Sequence, residues 1–104
     1  MKRILAIAAL ALVTAAPAYA WAAGQNFIIL DGIASHGSMV CNPNWLDRPG
    51  SYAILAGAKA AHADPKTAKA FLMRGMTDFD NSVKELGKEG ACRKLDQMIE
   101  AFGG

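Results

Sequence analysis

Apolar residues recur at helical spacing between residues 65 and 86. They are Ala68, Leu72, Gly75, Phe79, Val83 and Leu86, three or four positions apart, and they form one face of a predicted helix. Asp64 can cap this helix, Pro65 suits its first position, and Gly87 suits the left-handed position that ends it. Gly75 inside the stripe indicates close approach of another helix or a slight bend.

Two further stripes predict two more helices. The last one contains Ala91, Cys92, Leu95, Met98, Ile99 and Phe102 and places Cys92 on a buried face. Upstream, the alanine-rich segment from Ser51 to Ala63 predicts a short helix capped by Ser51, with Tyr52, Leu55 and Lys59 at i, i+3 and i+7. The residue before Pro65 resists helical geometry, so a turn separates this helix from the next.

The segment before Cys41 permits two interpretations. Leu30, Ile33, Gly37 and Val40 have helical spacing, whereas residues 27–30 alone could form a strand. We favour a helix because no second strand-like run exists to pair with such a strand. Residues 41–50 are predicted to form a loop in which Trp45 and Leu46 cover the core. The sequence therefore predicts an all-α fold, a small bundle of three to four helices.

The N-terminus has the three parts of a secretory signal peptide. Lys2 and Arg3 precede a short apolar run, and Ala18-Tyr19-Ala20 is a small-x-small cleavage site. We expect a signal peptide over 1–20 and one domain over 21–104, because the apolar run is shorter than the roughly 20 residues that span a bilayer. An uncleaved anchor is the alternative, and Pro17 argues against it.

Cleavage would leave nine basic and nine acidic residues in the mature chain. A balanced charge gives no electrostatic footprint for nucleic acid or anionic lipid, so we expect neither partner. We also expect no membrane span in the mature chain. Two cysteines in an exported chain permit one intramolecular pair, and we predict a disulfide between Cys41 and Cys92. The spacing of these cysteines is unlike that of zinc or thioredoxin motifs.

Candidate chemistry is sparse along the chain. His36 and His62 lie outside nucleophile and zinc motifs, and we interpret both as surface or helix-end residues. Asp78 and Asp80 are two apart, so on a helix they do not face each other and are expected to be solvated. We therefore predict no catalytic residue and no cofactor.

Methionine could in principle bind copper in an oxidising compartment, because thioethers are ligands of Cu(I). Met73 and Met76 lie three positions apart on the predicted helix, and His62 could join them. The alternative is that these methionines fill gaps in a helical core, as methionine commonly does. We favour the alternative and predict no metal site.

The stretch from Ala70 to Asp80, followed by Gly87 and by Ala91-Cys92, resembles a pattern in small signal-bearing, single-disulfide helical proteins of proteobacteria whose function is uncharacterised. The overall plan is also similar to that of periplasmic acid-stress chaperones, in architecture alone. We expect a non-enzymatic periplasmic or secreted protein that binds another envelope protein, in a chaperone-like or accessory role. Alternatives are carriage of copper or a small ligand, and inhibition of an envelope enzyme or toxin.

Overall fold

The computed structural model describes the backbone of residues 16–104 and the side chains from Asn26 onward. Helix α1 spans Ala16–Cys41, a 3-10 helix spans Pro43–Asp47, helix α2 spans Pro49–Ala60, and helix α3 spans Pro65–Ala101. No strand occurs in this part of the chain. The predicted all-α bundle is confirmed, including the helical interpretation of the segment before Cys41.

Helix α3 consists of two limbs that meet at Gly87. Gly87 has φ 76° and ψ 165°, a non-helical conformation that L residues rarely adopt. We call residues 65–86 the first limb and residues 88–101 the second limb. A straight helix would separate Phe79 from Leu95 by about 24 Å. A Cβ atom on Gly37 of α1 would nevertheless lie 2.8 Å from the Phe79 ring and 2.6 Å from Leu95, so the limbs fold back toward each other.

Helix α1 contacts both limbs of α3. It runs parallel to the first limb, since Gly32 lies near Leu72 and His36 near Asp80. It runs antiparallel to the second limb, and there the Phe27 and Phe102 rings pack edge to face with centroids 5.5 Å apart.

Glycines bring α1 and the first limb unusually close together. A Cβ atom on Gly75 would overlap the backbone carbonyl oxygen of Ile29 and would lie 3.0 Å from the Cα atom of Gly32. A Cβ atom on Gly32 would in turn overlap the carbonyl oxygen of Leu72. The close approach predicted at Gly75 is therefore confirmed.

The buried core lies where the limbs and α1 converge. Its centre is formed by Phe79, Ala91, Leu95 and Ile99, each at most 3% exposed. Trp45 packs against this cluster as predicted, but it lies in the 3-10 helix Pro43–Asp47 and not in a loop. Cys41 and Cys92 form the predicted disulfide, with their Cα atoms 5.6 Å apart, so the last residue of α1 is tied to the second limb.

The apolar stripes were misread at their ends. Leu86 is 52% exposed and Val40 is 37% exposed, because the first limb and α1 each reach the end of the bundle there. Asp64 does cap α3 as predicted: its carboxylate accepts from the backbone N–H of Thr67, which lowers the pKa of Asp64, and from the Thr67 hydroxyl.

Two predictions about α2 are wrong. The helix begins at Pro49 and its N-cap is Arg48, while Ser51 lies inside the first turn. The Ser51 hydroxyl is buried and donates to the carbonyl oxygen of Trp45 at 2.6 Å. The helix ends at Ala60 and not at Ala63; Tyr52 on it is 55% exposed, whereas Ile54 is fully buried.

The predicted signal peptide, residues 1–20, falls mostly on residues 1–15, which lie outside the described part of the chain. Among the helices that the structure describes, none has the length and apolarity that crossing a membrane requires.

Candidate binding groove

An open groove of about 510 Å³ lies between the two limbs of α3. Its floor is apolar, and polar side chains stand at its rim. The floor consists of Ile33, Phe79, Ala91, Leu95 and Met98, and the rim consists of Asp78, Asn81, Ser82, Glu85 and Lys94. The turn at Gly87 creates this groove, because it places one face of the first limb opposite one face of the second.

Helical spacing accounts for the two walls of the groove. The first limb contributes the polar positions 78, 81, 82 and 85 together with Phe79 in the floor, and the second contributes positions 91, 94, 95 and 98; the four polar positions and the four of the second limb each follow the spacing i, i+3, i+4, i+7. Sequence reasoning missed this site. The polar stripe beside the apolar one was visible in the sequence, but nothing local showed that a second wall would face it.

His36 and Asp80 join α1 to the first limb beside the groove. His36 Nε2 lies 2.7 Å from a carboxylate oxygen of Asp80, and the imidazole packs edge to face on Phe79 at 5.8 Å. Asp80 is 58% exposed, in agreement with its interpretation as a solvated residue, and His36 is 26% exposed; the sequence did not predict that the two side chains contact each other. Both side chains hold two helices together, and only the packing of those helices brings them within reach.

The serines near His36 do not form a catalytic pair with it. Ser35 donates to Asp31 at 3.2 Å, one turn earlier on the same helix. Ser38 is fully buried, and its hydroxyl has no hydrogen-bond partner among the described residues. The described structure thus leaves His36 without an adjacent nucleophile.

A smaller cavity of about 250 Å³ lies between α1, α2 and the start of α3. Asp31, Lys59 and His62 line it together with apolar side chains. Burial raises the pKa of Asp31, while the hydrogen bond from Ser35 and the charge of Lys59 oppose that rise.

Met73 and Met76 are neighbours on the surface of the first limb, one turn apart. They are 56% and 40% exposed, so the prediction that they fill gaps in the helical core is wrong. His62 lies in the turn before α3 with φ 54°, and the helix rise from Pro65 separates that turn from Met76 by about 16 Å. Among the described residues, no group of three or more His, Cys, Asp or Glu side chains is arranged to hold a metal ion.

Arg48 organises a network that sequence reasoning also missed. Its guanidinium donates to Asp96 at 2.6 Å, to Glu100 at 3.2 Å and to the carbonyl oxygen of Gly104 at 3.0 Å. The same group lies 5.5 Å from the centre of the Trp45 ring. Arg48 therefore links the start of α2 to the second limb and helps to hold that wall of the groove in place.

Comparisons with protein-family models, with curated proteins and with solved structures give no match for this chain. The fold and the groove together define its class: an all-α, disulfide-closed bundle with an apolar groove between the limbs of a bent helix.

Proposed function

We propose that this chain is an exported, non-enzymatic protein that binds a partner protein through the groove of α3. The observation that carries the proposal is the groove itself, with its apolar floor and polar rim. Like small-molecule sites, whose volume range includes its 510 Å³, the groove combines apolar walls with a few polar groups.

The floor can supply binding energy. Phe79, Ala91 and Leu95 belong to the packed core, so a partner side chain placed on them extends an existing apolar cluster. Full burial of one Leu or Phe side chain contributes about 1.5–3 kcal/mol, and a few such anchors dominate most interfaces.

The walls are held in place before any partner binds. The disulfide ties the second limb to α1, Arg48 ties it to the start of α2, and the His36–Asp80 pair ties the first limb to α1. A preformed site loses less conformational entropy on binding. A rigid groove of defined shape favours one dedicated partner over many clients, so an accessory or inhibitory role is favoured over a general chaperone.

Two observations support export of the chain and a non-enzymatic role. A disulfide is typical of oxidising compartments, in agreement with the signal-type N-terminus. The Ser82 hydroxyl in the groove donates to the backbone carbonyl of Asp78, and the described residues that line this groove include no histidine or cysteine. The side chains there offer no activated nucleophile, which favours binding over catalysis.

The test compares two tryptophan variants of the full chain. Ser82→Trp fills the groove from its rim, and Thr77→Trp adds the same side chain at an exposed position of the first limb outside the groove. Wild type and both variants are used in pull-downs from envelope extract at neutral and at acid pH. The partner retained by wild type is then purified and titrated against all three proteins by fluorescence anisotropy.

We expect a partner that binds equally to wild type and to Thr77→Trp and does not bind to Ser82→Trp. Equal binding by all three would reject the groove as the site. Many proteins retained only at acid pH would support a chaperone instead. Native mass spectrometry of the purified wild type tests whether the chain carries a small ligand instead. A small molecule bound to wild type and absent from Ser82→Trp would assign the groove to that ligand.

A further inference from the structure

The first-limb wall of the groove carries two carboxylates and no cation. Asp78 and Glu85 stand at its two ends, separated by two helical turns or about 10 Å, with Asn81 and Ser82 between them. Within the part of the chain that the structure describes, neither carboxylate has a Lys, Arg or His nitrogen within 4.0 Å. Both carboxylates are therefore available to a partner.

The opposite wall carries one charge of the other sign. Lys94 is the ionisable residue that the second limb contributes to the groove, and it is exposed. A cation bound in the groove is attracted toward the first limb and repelled from the second, so the two walls favour one orientation of a charged occupant.

We infer that the groove takes a basic amphipathic segment of the partner protein, with an apolar side chain on the floor and Lys or Arg side chains on Asp78 and Glu85. This inference rests on the proposed function and specifies its partner. On a helical segment, residues seven positions apart are also separated by about 10 Å, which matches the spacing of the two carboxylates. An acidic segment would place like charges on the longer polar wall and bind poorly.

The test uses two short amphipathic helical peptides with identical apolar faces. One carries Lys at two positions seven apart, and the other carries Glu at those positions. Each is titrated by fluorescence anisotropy against the full, disulfide-bonded chain at low and at physiological ionic strength. The variants are Asp78→Asn, Glu85→Gln and their combination. Glu89→Gln is the matched control, because Glu89 is an exposed acid on the second limb that does not line the groove.

We expect the basic peptide to bind at least ten-fold more tightly than the acidic one. Each groove substitution should weaken the basic peptide about three-fold, and the combination about ten-fold, since exposed ion pairs each contribute a small free energy. Glu89→Gln should have no effect. Higher ionic strength should reduce the difference between the peptides.

Equal binding of the two peptides would overturn the inference, as would an equal effect of Glu85→Gln and Glu89→Gln. Failure of both peptides to bind would overturn it as well. These failures are distinguishable from failure of the proposed function: if Ser82→Trp still abolishes binding of the natural partner, the groove remains the site and only the basic chemistry of the partner is wrong.

Discussion

Replacing Gly75 with alanine tests the close crossing of α1 and the first limb. Helix propensity alone predicts that Gly75→Ala stabilises the chain by about 1 kcal/mol, since alanine is the better helix former. The packing predicts instead that Gly75→Ala destabilises the chain. The new Cβ atom would overlap the carbonyl oxygen of Ile29 and lie 2.8 Å from the backbone nitrogen of Ile33. Backbone atoms cannot rotate away as a side chain can, so the helices must separate.

The size of the effect follows from these two contributions. Overpacking in a core costs about 1–3 kcal/mol, and contact with backbone atoms places Gly75→Ala at the upper end of that range. After subtraction of the propensity gain, the expected net loss is about 2 kcal/mol, which in a domain of this size lowers Tm by roughly 8–16 °C.

Urea unfolding followed by far-UV circular dichroism, with the disulfide intact, measures this change. The control is Ala70→Gly, at an exposed position in the same limb, which removes helix propensity without altering the crossing. We expect this control to cost about 1 kcal/mol.

A Gly75→Ala variant that is more stable than wild type would refute the close crossing. A second check is the pair of Gly75→Ala with Gly32→Ala, whose Cβ atom would overlap the carbonyl oxygen of Leu72 across the same crossing. The combined loss should be smaller than the sum of the two single losses, because separating the helices once relieves both overlaps.

Three further predictions concern the covalent and polar links of the bundle. Reducing the bond between Cys41 and Cys92, which are 51 positions apart, should lower the free energy of unfolding by about 4 kcal/mol, measured by urea unfolding with and without a reductant; an unchanged midpoint would contradict the loop-entropy argument. Arg48→Lys keeps the charge but loses the planar fork that reaches three acceptors, and should cost about 1–3 kcal/mol in the same assay, whereas Arg93→Lys, in an exposed pair, should cost less than about 0.5 kcal/mol; equal losses would argue against the Arg48 network. Burial raises the pKa of Asp31 above its ordinary value of 3.8, so the charged carboxylate lowers the free energy of unfolding above the raised pKa and has no such effect below 3.8. Asp31→Asn should therefore be more stable than wild type near neutral pH and equally stable at about pH 3. A variant less stable than wild type at neutral pH would contradict this.

The groove could not be predicted from the sequence, although the residues of each wall recur there at helical spacing. Positions 78, 81, 82 and 85 form a polar stripe, and positions 91, 94, 95 and 98 form a mixed one. Periodicity shows which side chains share a helix face, but not what that face meets. Asp78, at one end of the polar stripe, was therefore interpreted as a solvated residue. The contact between His36 and Asp80 could not be predicted for the same reason, since the two residues are 44 positions apart in the sequence.

The sequence by itself determined the helical class of the fold, the cap at Asp64, the break at Gly87, the close approach at Gly75 and the pairing of Cys41 with Cys92. These features depend on local spacing, on single residue types or on a count of cysteines. Tertiary structure decided how the limbs fold back at the break, which carboxylates Arg48 binds, and which ends of the apolar stripes stay exposed. The physical reason is that such features depend on how separate helices are oriented, which is set by contacts between residues far apart in the chain.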